Sequence, residues 1–310
     1  MTTFRVFRKW AVMMLALISL VSVSCSRATE EPPAPTNESN TLGHDRWGKV
    51  EFIIRKGHLH GKDFHGNIDG DDPYFKSVQR FTFEVDDTGN IVQKNAQGKV
   101  LAKGEEPVLM IGHLNYSMEI VYYNKQGKRI NNQFTTKEML PIHQHFFTVK
   151  EYTDLNTGKT VVPKPDELMN YTYRDTNPED IMIGNFVPGT TQASRLTNDP
   201  LGLKGYFTHK RGRVSYSMNV MLAHLLKGDK YTNNGKTWPF NEPSSAMLSV
   251  AVPDFSQSIP IVVVTTPTDG TPESFKNFIK EIAEYFKVSE EEVEKNMING
   301  PVDESGAFWM

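Results

Sequence analysis

The chain has 310 residues with 37 acidic and 34 basic side chains, a formal charge of −3. That balance argues against a surface built for nucleic acid, and a single cysteine, Cys25, excludes an internal disulfide framework. Stability must come from a core, and the length allows one large or two medium domains at about 100–200 residues each.

Arg5, Arg8 and Lys9 open the chain without an acid, and Trp10 to Val23 is almost wholly apolar. This is the layout of a secretory leader, too short to span a bilayer, which needs about 20 apolar residues. Small residues, Ser22 and Ser24, precede Cys25. Val21-Ser22-Val23-Ser24-Cys25 resembles the lipobox of bacterial lipoproteins cut by signal peptidase II, in the style of Bacteroidetes-type lipoproteins, with Ser22 where that pattern usually carries Leu. The resemblance covers the first two dozen residues. It implies a signal peptide over 1–24 and acylation (palmitate) of Cys25. It also implies a lipid-anchored place in the cell envelope, at the outer membrane, facing the periplasm or the outside. Loss of the leader moves the charge from −3 to −6, so the membrane is engaged through the lipid and not through basic patches.

Ser26 to about His44 is polar and Pro-rich, with Glu30-Glu31-Pro32-Pro33-Ala34-Pro35 at its centre. Such a stretch buries too little apolar area to fold, so 25–45 reads as a lipidated tether with a reach of about 25 Å.

From Trp47 the dominant signal is alternation broken by Gly, Asn and Asp turns, which predicts a mainly β, antiparallel, sandwich-like fold. Hairpin turns are expected at Asp86–Asn90, Asn124–Gly127 and Asp154–Gly158. Val214, Tyr216, Met218, Val220 and Leu222 fall on one face of a strand, with Ser215, Ser217 and Asn219 on the other. Turn formers between Pro163 and Pro178 predict a boundary, giving a β-domain over 46–165 and a second over 178–310. The second ends in an amphipathic helix: Thr271 caps, Pro272 takes the first helical position, and Phe275, Phe278, Ile279, Ile282 and Phe286 form its apolar stripe. Ser289-Glu290-Glu291-Glu292 predicts the start of a further helix, ending at Gly300-Pro301.

The chemistry-bearing pattern is histidine. His58-Leu59-His60 and His143-Gln144-His145 are both His-X-His, and His65 follows the first pair closely. Residues i and i+2 of a strand share a face, so each pair presents two imidazoles to one ion, as zinc or copper requires; haem is the other cofactor such residues serve. The expected ligands are therefore His58, His60, His65, His143 and His145, joined from other strands by His113 or His224. Copper/zinc superoxide dismutases also carry His-X-His on a sandwich, but the disulfide and bridging-His arrangement of that family are missing here.

Asn67-Ile68-Asp69-Gly70-Asp71-Asp72 has the alternating oxygens of a calcium loop without its sixth-position Gly or its closing Glu, so it reads as an acidic turn. No nucleophile elbow and no His-Glu-X-X-His motif occurs. The functional expectation is a non-catalytic envelope lipoprotein that binds a protein or small-molecule ligand, with metal or haem binding as its sharper form. The alternative is a metal-dependent hydrolase using Asp63 or Asp69 as base.

Overall fold

The computed structural model describes residues 42–66, 78–184, 192–299 and 307–310. Cys25, the leader, the Asn67–Asp72 turn and Gly300-Pro301 lie outside the described residues. Gly43–Met310 forms one compact unit, mainly β and antiparallel.

The longest strands explain the architecture. β1 (Trp47–His60) is flanked on one edge by β6 (Asn115–Asn124). Its other edge is shared by β3 (Val78–Val85) along its first half and β2 (Asp63–Gly66) along its second. β4 (Ile91–Asn95), β9 (Met169–Tyr173), β12 (Lys204–His209) and β15 (Phe308–Trp309) complete an eight-stranded sheet. A five-stranded sheet runs β5-β14-β13-β7-β8, built from β5 (Val108–Ile111), β7 (His143–Asp154), β8 (Thr160–Val161), β13 (Val214–Leu225) and β14 (Ala251–Val264). Thr176–Asn177 and Ser194–Arg195 pair as a small separate ribbon, β10 with β11. Strands from either side of the 165–178 stretch pair together in both large sheets, β6 with β12 and β7 with β13. The two expected halves therefore share one sandwich and do not follow one another as separate β-domains.

Alternation decides which side chains fill it. Val50, Phe52 and Ile54 of β1 and Tyr116, Met118, Ile120 and Tyr122 of β6 meet the expected stripe Val214–Leu222 of β13 in one core. Each such side chain, fully buried, contributes about 1.5–3 kcal/mol. β5 reads Val-Leu-Met-Ile with no polar residue and is buried at all four positions. Its parallel pairing with β14 explains this, since parallel strands are normally covered on both faces. Val108 and Met110 face the sandwich, while Leu109 and Ile111, with Val262 and Val264 of β14, face a helix.

Two single-turn helices, α1 (Asn131–Phe134) and α2 (Ser245–Leu248), lie in the connections. The covering helix is α3 (Pro272–Phe286), followed by α4 (Glu290–Asn299). Thr271 Oγ1 accepts the Ser274 N–H at 3.2 Å, and Ser289 Oγ accepts that of Glu292 at 3.1 Å, so both helices start at the expected caps. Phe278, Ile279, Ile282 and Phe286 are buried, whereas Phe275, the first residue of the expected stripe, is 43% exposed at the helix start. Of the expected turns, Asp86–Asn90 joins β3 to β4, with Asp86 Oδ1 accepting the N–H groups of Thr88 and Asn90. After the Asn124 turn the chain makes the bridge Tyr123–Arg129 and then turns into the short helix at Asn131, so no full return strand forms.

Candidate metal centre

The inward stripe of β7 reads His143, His145, Phe147, and that of β13 continues past Leu222 to His224. Register sets their partners: His143 stands directly opposite His224, and His145 opposite Leu222. Directly opposed residues bring their Cβ atoms to about 5 Å, so His143 and His224 meet with ring centroids 4.3 Å apart.

Asp254 joins them through a β-bulge. Leu222 pairs with Phe255 and Ala223 with Pro253, which leaves Asp254 as the extra residue. A bulge turns consecutive side chains toward one side: Phe255 enters the core, and the Asp254 carboxylate reaches the histidines. Trp47 Nε1 of β1 donates to the Asp254 carbonyl at 2.6 Å and pins the bulge to the facing sheet.

The fourth residue is His44, three positions before β1. Its neighbour Asp45 is clamped by Gln133 and Asn124, with Gln133 Oε1 accepting the Asp45 N–H at 2.6 Å and Asn124 Nδ2 donating to Asp45 Oδ2 at 3.2 Å. The imidazole packs on Phe134, centroids 4.7 Å apart.

Five of the six separations between the four ligand atoms are nearly equal, and all six lie within 4.8 Å. His44 Nε2 lies 3.3 Å from both His143 Nε2 and His224 Nδ1. Asp254 Oδ2 lies 3.1, 3.0 and 3.3 Å from His44 Nε2, His143 Nε2 and His224 Nδ1. In a tetrahedral zinc site with bonds of about 2.0–2.1 Å, ligand atoms stand about 3.3 Å apart. Second contacts fix the tautomers: His143 Nδ1–H donates to the Met139 carbonyl at 2.8 Å and His44 Nδ1–H to that of Asp45 at 3.0 Å. In their neutral forms both rings therefore aim an Nε2 lone pair inward, as metal-ligating imidazoles held by a backbone carbonyl do.

Burial is nearly complete, with His44, His143 and His224 at 3%, 0% and 4% exposure. Burial works against a charged imidazole at both His44 and His143. At His44 the hydrogen bond and charge of Asp254 outweigh it and raise the pKa, while at His143 burial prevails and lowers it. Burial also opposes ionisation of Asp254, but the close contacts of His143, His224 and His44, with the charge that His44 can carry, hold its pKa far below the carboxylate range. The carboxylate is ionised, and of His44 and His143 it is His44 that takes a proton more readily. A metal ion at the common centre competes with that proton. Behind the site the buried Lys230 donates Nζ to the His143 carbonyl at 3.1 Å, burial lowering its pKa to about 8.

The expected ligands are thus sorted differently from a five-histidine set. His143 belongs to this centre. His145 belongs to no ligand cluster among the described residues: its Nδ1–H donates to the Leu201 carbonyl at 2.9 Å, and its Nε2 accepts from the Tyr122 hydroxyl at 2.7 Å. It shares a face with His143, but its cross-strand partner is a leucine, and burial drops its pKa to about 3. His58, His60 and His65 form a separate group at the far end of β1. Asp63, the expected base, is paired with Arg195 at 2.9 Å. His113 sits exposed in the β5–β6 turn, and Asp69 lies outside the described residues. His44 and Asp254 were not expected: the first hides at the end of the polar tether sequence, and the second depends on a bulge that alternation does not announce.

The chain matches no protein-family model, no curated protein and no solved structure.

Proposed function

We propose that this chain is a metal-binding, lipid-anchored protein of the cell envelope, whose sandwich is locked at one end by a zinc-type ion on His44, His143, His224 and Asp254. The observation that carries this reading is the convergence of three imidazole nitrogens and a carboxylate oxygen, with five of their six separations at the 3.0–3.3 Å of a tetrahedral site. Three nitrogens and one oxygen in that arrangement suit zinc, a borderline ion without a geometric preference of its own. Atoms so close leave no room for a haem macrocycle between them. Four protein ligands in a buried site are the mark of a closed, structural centre, whereas a hydrolase needs an open position for water or substrate. This favours a protein that presents a binding surface over the metal-dependent hydrolase. The lipid anchor rests on the Arg5–Lys9, Trp10–Val23 and Cys25 pattern.

The test is elemental analysis of a chain beginning at Ser26, which contains the whole Gly43–Met310 unit, purified without chelating resin. The expected result is tightly held zinc that survives dialysis in the parent and is missing from the His143→Ala variant. A parent that stays metal-free and takes up neither zinc nor copper when they are added overturns the reading.

A further inference from the structure

At the opposite end of β1 the hairpin with β2 shows the same element of design in a different setting. His58 stands directly opposite His65, and His60, two residues along the strand from His58, shares their face. His58 Nε2 and His60 Nε2 are 2.9 Å apart, and one nitrogen from each of the three rings lies within 4.8 Å of the others. The reverse face of the hairpin is anchored: Phe64, Phe308 and Met310 form a buried cluster with Tyr206. Phe64 and Met310 also exchange both backbone hydrogen bonds, at 2.9 and 2.8 Å. Gly57 and Gly66 permit this anchoring, because a Cβ at either would fall about 2.4 Å from the Phe64 or Phe308 ring. The histidine face is therefore held on a rigid support while its rings remain partly or fully exposed.

The fourth side is an aromatic wall. β15 places Trp309 opposite His65, and the two rings stack with centroids 4.1 Å apart and planes 4° from parallel. The Trp309 ring also borders that of His60 at 5.1 Å, and its backbone N–H donates to the Ile183 carbonyl at 2.8 Å.

The geometry points to a second, solvent-open metal site on His58, His60 and His65, with Trp309 as its wall, that takes an exchangeable copper(II) or zinc(II) ion and leaves coordination positions for an external ligand. Three neutral nitrogen ligands suit late first-row ions, with copper(II) bound more tightly than zinc(II). Three protein ligands in place of four distinguish this open site from the closed one. It stands independently of the buried centre.

The test is a copper(II) chloride titration of the chain beginning at Ser26, carrying only the zinc that survives dialysis, followed by tryptophan fluorescence and by metal-to-protein stoichiometry. The expected result is one further ion per chain, with quenching of emission. The His58→Ala/His65→Ala variant should lose this ion alone, at an unchanged melting temperature. Trp309→Phe should keep the ion and lose most of the quench. Under the same titration His143→Ala should still bind at the hairpin, so the two sites succeed or fail separately. An unchanged copper stoichiometry in the double variant, or a full quench in Trp309→Phe, overturns the assignment.

Discussion

Replacing Asp254 with asparagine keeps the size of the side chain at the bulge and removes the only anionic ligand from the buried centre. At free zinc 100 times the dissociation constant, an ion that binds only the folded state adds about 2.7 kcal/mol. Gly43–Met310 comprises about 270 residues, so at about 2.1 cal/mol/K per residue the unfolding entropy is about 0.56 kcal/mol/K. The zinc-dependent rise in melting temperature of the parent is then about 5 °C. Groups that only support a metal ligand cost 10–100-fold in affinity when removed, so loss of a charged ligand should weaken binding at least about 100-fold. At the same zinc concentration the rise in Asp254→Asn then falls to about 0.4 kcal/mol, below about 1 °C. The chelated forms will differ too, by about 1–3 kcal/mol, because the buried histidines lose a charged partner. The informative quantity is therefore the difference between zinc-loaded and chelated melting curves within each protein, read by calorimetry. A full 5 °C rise in Asp254→Asn would refute the tetrahedral reading.

Replacing His145 with leucine strands the buried Tyr122 hydroxyl and should cost about 1–3 kcal/mol in urea unfolding, while zinc content stays at the parental level. His209 is 9% exposed, and burial lowers its pKa to about 4. The unfolded chain takes up its proton near pH 6.5 and the native chain only near 4, so stability falls as pH drops through that window, by on the order of 3 kcal/mol. His209→Gln should flatten this part of the stability–pH curve measured in the chelated protein. Thr271→Ala removes the α3 cap and should cost about 1 kcal/mol, seen as a lower urea midpoint with metal stoichiometry unaltered.

What the residues disclosed by themselves follows from periodicity. The Val214–Leu222 stripe and the caps at Thr271 and Ser289 are local patterns, and each sits where local rules place it. The same i, i+2 rule assembled His58 with His60, and a short turn brought His65 opposite. For His143 the rule named the right residue with the wrong companion, because its partner is chosen across the sheet by register. The β7–β13 register shifts between Tyr216 and Met218, and the β13–β14 register shifts at the bulge between Leu222 and Ala223. Beside Asp254 the one local hint of the shift is Pro253, which has no N–H to give the ladder. His44 was hidden for a related reason: its composition is that of a tether, and only long-range contacts with Phe134, His143 and Asp254 draw it into the protein. β5 lacked alternation because it is covered on both sides.

The ligands of the buried centre are also far apart along the chain. His44 lies 99 residues before His143 and 180 before His224. A bond that closes a loop of about 100 residues restricts the unfolded ensemble by about 4–5 kcal/mol in the chain-entropy description of disulfides. On the proposed reading, a polypeptide whose one thiol is committed to lipid still has a long-range staple, made of imidazole and carboxylate. Such a staple ignores reductants and yields to chelators, and it is complete only when His44 and Asp254, from opposite ends of the folded unit, have come together.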